Sequence, residues 1–189
     1  MASPGAPIPE EVARKIRLVI LDVDGVMTDG GVYVGELPDG NSVELKRFNI
    51  QDGVAVKLLM ESGMEVAIVS GRVSAATAIR ARELGIVECH QEPAAQKLGV
   101  IQEILDRKGI DWDEVAHLGD DIPDLAVFRR VGLPAAVANS TPEAIDEAAW
   151  FGTLAGGDGA VREFCEALMR ARGEWERAVE EYVEARSQP

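Results

Sequence analysis

Continuous apolar runs alternate with amphipathic stretches through most of the chain. Five runs rich in valine, isoleucine, leucine and alanine each end at polar or glycine residues, which is typical of parallel strands buried on both faces. They predict strands at residues 16–22, 65–70, 86–89, 115–119 and 135–138. Helical periodicity predicts helices at 54–62, 74–84, 95–108 and 124–130. This alternation predicts an α/β fold, a Rossmann-like three-layer sandwich with a central parallel sheet.

Residues 31–48 break this rhythm, because two short β-like runs flank the turn-forming segment PDGN at 38–41. They predict a β-hairpin flap at the carboxyl edge of the sheet, where ligands bind in open α/β folds. The predicted organisation is a flexible start at 1–15 and one domain at 16–172. The last helix begins near residue 159, and a helical or mobile tail follows at 173–189.

The 33 acidic residues outnumber the 19 basic ones, which gives the 189-residue chain a net charge of −14. Such a surface repels nucleic acid and anionic membranes, so neither is an expected partner. The first residues lack a basic region followed by an apolar core, and no apolar run reaches the length of a membrane span. A cytoplasmic location is therefore expected. Cys89 and Cys165 lack metal-ligand spacing and are expected to be reduced thiols.

Asp22 and Asp24 stand at the end of the first predicted strand, in the segment LDVDG. Residues two apart on an extended segment share a face, so both carboxylates can address one site. An aspartate can act as a nucleophile through a covalent acyl-phosphate, while a second one protonates the leaving alcohol and later deprotonates water. An aspartate-rich turn that caps the strand explains this segment equally well when it is taken alone.

Three further polar elements follow the predicted strands in order. Ser70 ends the second strand in VSGR, Lys97 opens a helix, and the segment GDDIPD follows the strand that ends at Gly119. A hydroxyl and a turn can bind a phosphoryl oxygen, and clustered carboxylates suit Mg²⁺, which takes oxygen ligands. Each element alone has a simpler explanation, as a helix N-cap, a solvated lysine or an acidic helix N-terminus. All four at one predicted edge of the sheet favour a Mg²⁺-binding phosphate-ester site.

In these four elements the chain resembles the haloacid dehalogenase superfamily of phosphohydrolases. The resemblance implies that Asp22 is the nucleophile and that Asp24 is the general acid and base. It implies that Ser70 and Lys97 hold the transferring phosphoryl group. It also implies that Mg²⁺ is bound by Asp22, by the backbone carbonyl of Asp24 and by Asp120.

Residues 30–69 leave room only for the hairpin and one helix, so the chain resembles the members of that superfamily without a cap domain. Among them it is similar to phosphatases of sugar-acid phosphates, in the segments LDVDGVMTDG, ELKRFNIQDG, VSGR, GDDIPDL, AGGDGAVREFCE and ARGEWE. This implies a small anionic sugar-phosphate substrate and a homotetramer formed through the flaps, in which the glycine-rich segment helps to close a neighbouring subunit's site. The implied substrate contacts are Asp24, Asn49, Ile50, Gln51, Asp52, Gly53, Lys57, Arg72, Arg80, Lys97 and Asp121.

Arg72 and Arg80 are eight residues apart at a predicted helix start. They are expected on nearly the same face, where they could grip a sugar carboxylate. The sequence departs from the pattern of these phosphatases at Gln51, Lys57 and Asp158, where arginine is frequent. These departures reduce the positive charge around a doubly anionic substrate. An eight-carbon sugar-acid phosphate, a nine-carbon one and a broader range of sugar phosphates are therefore alternative substrates.

A receiver-type signalling domain is the main non-enzymatic alternative, since it also carries a phosphorylated aspartate, a hydroxyl and a lysine at strand ends. Asp24 argues against it, because a long-lived acyl-phosphate needs no leaving-group acid two residues on. A catalytically idle scaffold would be expected to lack one of the four elements, and none is missing. The site itself, rather than fold analogy, therefore predicts an enzyme.

Overall fold

The computed structural model describes residues 3–187 and contains a sheet of six parallel strands. The strands of both sheets are β1 Leu18–Leu21, β2 Tyr33–Glu36, β3 Ser42–Leu45, β4 Glu65–Ser70, β5 Glu88–Gln91, β6 Val115–Gly119, β7 Leu133–Ala136 and β8 Trp150–Phe151. The parallel sheet has the order β5-β4-β1-β6-β7-β8, and β2 and β3 form a separate antiparallel pair. The helices are α1 Glu10–Ala13, α2 Ile50–Glu61, α3 Ala75–Leu84, α4 Lys97–Lys108, α5 Ile122–Phe128, α6 Pro142–Glu147, α7 Ala160–Ala171 and α8 Trp175–Glu184.

Helices cover both faces of the parallel sheet, and two apolar clusters fill the space between the layers. β1 is buried at all four residues, because it lies in the middle of the sheet between β4 and β6. Val19 and Leu21 pack on one face with α2 and α7, whereas Leu18 and Ile20 pack on the other face with α4. The predicted three-layer α/β sandwich, with a hairpin flap and no cap domain, is confirmed.

Several element boundaries differ from the predicted ones for local reasons. α2 begins at Ile50 rather than at residue 54, because the side chain of Asn49 caps it by accepting from the amide of Gln51 at 2.8 Å. α5 begins at Ile122 because Asp121 caps it in the same way, at 2.7 Å. β7 lies two residues before its predicted position. The pattern does not predict α6 and β8, because six and two residues are too short to show a hydrophobic period.

The predicted flap is the antiparallel pair of β2 and β3, with Gly40 at a φ of 81° in the connecting turn. A bridge between Thr28 and Phe48 joins the two ends of the flap segment beyond the end of β1. β2 is fully exposed and β3 is half-buried or exposed, so that Val34 is 75% exposed and Leu45 is 64% exposed. The flap therefore holds apolar side chains in solvent while its base is fixed to the domain.

The described part of the segment predicted to be flexible, residues 3–15, packs against the domain. Gly5 donates to the carbonyl of Phe151 at 2.8 Å, and the side chain of Ile8 is buried in the core. The apolar residues of α1 explain this packing, since the helix lies against α7.

The segment predicted as a tail contains α8, which packs on α2 and α7 through the buried side chain of Trp175. The guanidinium groups of Arg162 and Arg170 lie 5.6 and 5.8 Å from the centre of its rings. The ends of the two predicted terminal segments, residues 1–2 and 188–189, lie outside the described residues. None of the helices between residues 3 and 187 has the length and apolar character that a membrane span requires.

Candidate active site

The four predicted catalytic side chains meet in one cleft at the carboxyl edge of the parallel sheet. Asp22 and Asp24 follow β1, and Ser70 ends β4. Lys97 begins α4, and the strands bring these segments together because parallel strands end at the same edge. The cleft has a volume of about 230 Å³. Its lining consists of Asp22, Asp24, Ser70, Gly71, Arg72, Ala95, Lys97, Asp120, Asp121, Pro123 and Asp124.

Asp22 lies buried at the centre of this cleft. Its amide donates to the carbonyl of Leu118 at 3.0 Å, which extends the pairing of β1 with β6. The Nζ of Lys97, itself buried, donates to Asp22 Oδ1 at 2.6 Å. Within the described part of the chain no group donates to Asp22 Oδ2, so this oxygen is available to attack an electrophile.

Asp124, in the first turn of α5, holds Lys97 from the other side. Its Oδ1 accepts from Lys97 at 2.6 Å and from Nε2 of His117 at 2.7 Å. Its Oδ2 accepts from the backbone amide of Asp120 at 3.0 Å. Lys97 is therefore fixed between two carboxylates, and the Asp120 loop is fixed by one of them.

The crowding of carboxylates changes the ionisation of the cleft. Burial, together with the charges of Asp22 and Asp124, raises the pKa of Asp120 to about 8. Burial also raises the pKa of Asp22 to about 6, against the effect of Lys97. For Asp124 burial opposes the charged form, but His117 and Lys97 hold the pKa of this carboxyl below its ordinary value. The surplus of negative charge around Asp22 and Asp120 is what a bound cation would offset.

Three carboxylates are candidates for holding that cation. Oxygens of Asp22, Asp120 and Asp124 lie within 4.8 Å of one another. Asp124 is the poorest ligand of the three, because its oxygens already accept from a lysine, a histidine and a backbone amide. Among the described residues, the carboxylate of Asp22 accepts a hydrogen bond from Lys97 alone and that of Asp120 accepts none. These two carboxylates therefore fit a metal better than the third.

The backbone of the loop after β1 completes an all-oxygen donor set. No residue between 3 and 187 donates to the carbonyl oxygen of Asp24. Gly25, at a φ of 88°, lies so close to Asp120 that a Cβ at this position would overlap the Asp120 carboxylate. A hard cation such as Mg²⁺ prefers oxygen ligands of this kind, so the residues present fit the predicted metal.

The carboxylate of Asp24 is held from the flap. Lys46, which follows β3, donates to Asp24 Oδ1 through a buried Nζ. Arg72 Nη1 lies 3.9 Å from the same oxygen, while its Nη2 donates to Glu44 at 2.9 Å. Asp24 Oδ2 is buried and has no hydrogen-bond partner among the described residues.

Ser70 and Asp121 occupy the rim of the cleft. Ser70 Oγ accepts from the amide of Arg72 at 3.2 Å and donates to its carbonyl at 3.4 Å, a long bond that a phosphoryl oxygen could replace. Asp121 Oδ1 accepts from the amide of Ile122, so one of its oxygens serves as the cap of α5. Both side chains are thus oriented by backbone groups.

The remaining predicted substrate contacts do not line this cleft. They are Asn49, Ile50, Gln51, Asp52, Gly53, Lys57 and Arg80. Gln51 instead lines a larger cavity of about 700 Å³ between the N-terminal segment and α7. The expectation that Arg72 and Arg80 share a helix face is wrong, because α3 begins only at Ala75 and Arg72 lies in the preceding loop. Substrate contact by the residues outside the cleft stays a prediction.

Two buried charges hold the loop that begins α2. Arg80 donates to the carbonyl of Asn49 at 3.0 Å, and a Cβ on Gly53 would overlap its guanidinium. Asp52 Oδ1 accepts from the amide of Arg162 at 2.8 Å, at the N-terminus of α7, where the helix dipole favours negative charge. Burial nevertheless raises the pKa of Asp52 to about 6. In this chain, Arg80 and Asp52 position the loop rather than reach into the cleft.

A glycine-rich segment after β8 packs against the loop that follows Asp22 and Asp24 in the same chain. Asn139 Nδ2 donates to the carbonyl of Gly25 at 3.0 Å, and its Oδ1 accepts from the amide of Gly156 at 2.6 Å. A Cβ on Gly156 would overlap the Gly25 carbonyl, and one on Gly157 would press on the backbone of Asp29. Only glycine permits so close an approach. Whether this segment also reaches a neighbouring subunit stays a prediction.

Sequence reasoning missed three residues that shape the site: Lys46, Asp124 and Asn139. Asp124 had a usable signal, since it lies four residues after Asp120, one turn of helix away. Lys46 and Asn139 had none, because a lysine after a hairpin strand and an asparagine in a loop are ordinary surface residues.

A family model and individual relatives assign the chain to the same family. Residues 90–164 match the family model of the haloacid dehalogenase-like hydrolases. Over 175 residues the chain is 41% identical to 3-deoxy-D-manno-octulosonate 8-phosphate phosphatase KdsC of Salmonella typhimurium, and the match covers 93% of this chain and 90% of that protein.

Solved structures agree with this match. The 3-deoxy-D-manno-octulosonate 8-phosphate phosphatase of Moraxella catarrhalis, in complex with a magnesium ion, a phosphate ion and KDO, is 34% identical with a TM-score of 0.84. The alignment covers 92% of this chain and 97% of that one. The cobalt-bound deoxy-D-mannose-octulosonate 8-phosphate phosphatase of Haemophilus influenzae is 30% identical with a TM-score of 0.79, covering 87% and 93%.

Proposed function

The chain belongs to the haloacid dehalogenase-like hydrolases and is a phosphatase, and on that premise we propose that it hydrolyses 3-deoxy-D-manno-octulosonate 8-phosphate to the free sugar acid and phosphate. The observation that carries the chemistry is the buried carboxylate of Asp22. Lys97 holds one of its oxygens, and no residue between 3 and 187 donates to the other. Asp24, two residues on, lines the same cleft.

The reaction proceeds in two displacements at phosphorus. Asp22 Oδ2 attacks the phosphorus while the P–O bond to the sugar breaks, and protonated Asp24 gives its proton to the leaving oxygen. The sugar departs as a neutral alcohol and an aspartyl-phosphate remains. A water molecule then attacks the same phosphorus and passes its proton to Asp24, and the P–O bond to Asp22 breaks. Phosphate leaves, and both carboxyl groups return to their starting states.

Lys97 and Ser70 hold the phosphoryl group during both displacements. The ammonium of Lys97 lies 2.6 Å from Asp22 Oδ1, where it offsets the repulsion between the attacking carboxylate and a phosphate dianion. Ser70 Oγ donates to the carbonyl of Arg72 only over a long bond of 3.4 Å, and in the reaction it donates to a phosphoryl oxygen instead.

Mg²⁺ would be held by Asp22, by Asp120 and by the backbone carbonyl of Asp24. When bound, it supplies positive charge next to the phosphate and keeps the attacking carboxylate ionised. The donor set supports this assignment, and so do the magnesium ion in the Moraxella catarrhalis structure and the cobalt in that of Haemophilus influenzae. Asp124 serves by orienting Lys97.

The octulosonate substrate is supported by the relatives and by Arg72, which lines the cleft and, as an arginine, can pair with a sugar carboxylate. Gln51, Lys57 and Asp158 replace frequent arginines, but none of them lines the cleft of its own chain. Asp158 is also paired with Arg47 at 2.5 Å. A nine-carbon keto-sugar-acid 9-phosphate is the second candidate substrate. Gln51 lacks the positive charge of an arginine, so selection for the eight-carbon acid is expected to be weaker.

The flap supports a homotetramer as the working form. Val34 and Leu45 hold apolar surface in solvent on a two-stranded hairpin that has no sheet to pack against in the described chain. Such surface is typical of an interface, since its burial against further copies removes it from water.

A phosphate-release screen over sugar-acid phosphates tests this function. With Mg²⁺ we expect the highest kcat/KM for the eight-carbon substrate, no activity after EDTA treatment, and full recovery when Mg²⁺ is restored. Gln51→Arg is the matched variant, and a rise in the eight-carbon to nine-carbon ratio would show that position 51 selects the sugar. Equal rates on unrelated sugar phosphates, or full activity without a divalent cation, would contradict the proposal.

A further inference from the structure

The flap reaches Asp24 through the side chain of Lys46. This lysine follows β3, two residues before the Phe48 bridge that fixes the flap base. Its side chain is only 1% exposed, and its Nζ donates to Asp24 Oδ1. A buried ammonium needs such a partner, so the contact is a fixed part of the fold rather than a mobile surface pair.

The contact constrains the free oxygen of Asp24. A carboxylate group turns easily about its last bond, and a bond to one oxygen fixes where the other one points. Asp24 Oδ2 is buried without a partner among residues 3–187, which is unfavourable unless a bound molecule supplies one. Asp24 lines the cleft, and in the proposed reaction that partner is the oxygen that leaves with the sugar, or the water that replaces it.

Lys46 does not itself line the cleft, so it does not reach the phosphoryl group directly. Arg72 is the other cation near Asp24, but it lies 3.9 Å from Oδ1 and is already bound to Glu44 at 2.9 Å. Lys46 is therefore the cation that sets the orientation of Asp24.

We propose that Lys46 is a positioning residue for the general acid and base, and that it couples the placement of the flap to proton transfer. When the P–O bond breaks, the Asp24 proton passes from Oδ2 to the leaving oxygen, and Lys46 stabilises the carboxylate that this leaves behind. In the second displacement the same carboxylate accepts the proton of water. The assignment rests on the proposed function, since it gives Lys46 a role in that reaction.

Leaving-group dependence separates this role from binding and from folding. A nitrophenolate departs without a proton, whereas a phenolate or a sugar alkoxide needs the acid. The second displacement is the same for every substrate, so the first one is measured alone, as the pre-steady-state release of the leaving group. For Lys46→Met we expect this rate to fall about 10- to 100-fold on phenyl phosphate and on an alkyl phosphate, but less than about threefold on p-nitrophenyl phosphate. KM is expected to stay within about threefold on all three.

Arg47→Met is the matched control, because it removes the neighbouring cation, whose partners Asp29 and Asp158 lie outside the cleft. We expect it to keep the wild-type dependence on the leaving group. In Lys46→Gln the glutamine side chain is shorter than that of lysine and carries no charge. We expect the rate of this variant to depend on the leaving group as strongly as that of Lys46→Met. It provides the measurement if the methionine variant does not fold.

Three results would overturn the assignment: an equal loss on all substrates, a loss confined to KM, or a further loss when Lys46→Met is added to Asp24→Asn. In the double variant we expect no additional effect, because a residue that acts only through Asp24 has nothing left to orient. The aryl phosphates require no activity on a sugar acid. Failure of the octulosonate substrate and failure of the Lys46 assignment are therefore distinguishable.

Discussion

The catalytic edge of the sheet and the flap are opposite in construction. At the edge, Asp22, Lys97 and Asp124 are buried and bonded to one another. In the flap, Val34 and Leu45 stand in solvent, although the base of the hairpin and the side chain of Glu44 are bonded to the domain. The edge contains the groups that we propose for the displacement at phosphorus, whereas the flap carries exposed apolar surface.

The difference indicates that cleavage of the phosphate ester and selection of the sugar depend on different parts of the molecule. The groups that we propose to attack, protonate and bind the phosphoryl group line one cleft of one chain. Most of the predicted sugar contacts, among them Gln51 and Lys57, lie outside it. A single chain is therefore expected to have the machinery for cleavage, while the walls that select the sugar require the assembled flaps.

The largest expected effect is at the nucleophile. Asp22→Asn replaces the attacking oxygen with an amide that forms no acyl-phosphate, so phosphate release is expected to fall by at least roughly 10³-fold. Asp106→Asn, the same change on the exposed face of α4, is the control and should keep full activity. Turnover by Asp22→Asn at the wild-type rate would contradict the assignment of Asp22 as the nucleophile.

The next effect concerns the support of the nucleophile loop. Gly156→Ala forces a Cβ into the carbonyl of Gly25, and we expect a loss of about 1–3 kcal/mol in the free energy of unfolding, together with slower phosphate release. Gly99→Ala in α4 meets open space and should gain about 0.5–1 kcal/mol, because alanine favours a helix over glycine. Urea denaturation measures both. Equal stabilities would show that the loop is not held by this contact.

The pH dependence of stability tests the loop that begins α2. Folding raises the pKa of Asp52 from 3.8 to about 6, so the folded state favours the protonated carboxyl. Its contribution to stability is fully present below pH 3.8 and is lost as the pH rises through about 6, by about 1–3 kcal/mol. Asp52→Asn keeps an acceptor for Arg162 and should lack this loss. Urea midpoints of both proteins from pH 4.5 to 7.5 should diverge as the pH rises, and parallel curves would contradict the burial of this charge.

The smallest effect on the fold is expected in the flap. Val34→Asp should change the circular dichroism spectrum little, because the side chain contacts solvent, but should lower the mass measured by light scattering from that of a tetramer. Val87→Asp changes a valine that is 93% exposed just before β5, and it should leave the mass unchanged. If the wild-type protein is a monomer by light scattering, the prediction is wrong, and one chain must both select the sugar and cleave the phosphate ester.

The sequence predicts the catalytic edge well for a physical reason. Parallel strands end together, so polar residues at the ends of apolar runs meet whatever the loops between them do. Asp22, Ser70 and Asp120 are placed by that rule alone, and the continuous burial of β1 made the rule easy to apply. Lys97 follows because it begins the next helix.

Contacts between loops follow no such rule. Lys46 meets Asp24 only because the hairpin folds back over the edge, and Asn139 meets Gly25 across 114 positions of sequence. The prediction that Arg72 and Arg80 share a helix face was wrong because the helix starts three residues after Arg72. Loop geometry depends on tertiary packing, which a hydrophobic period does not encode.

The bridge from Asn139 to Gly25 and Gly156 has a consequence for the order of synthesis. Translation delivers Asp22 among the first segments of the chain, but the groups that brace its loop arrive only with the last third. We expect a ribosome-bound chain to carry an unbraced nucleophile for most of its elongation, and phosphatase activity to rise only once Gly156 has left the exit tunnel.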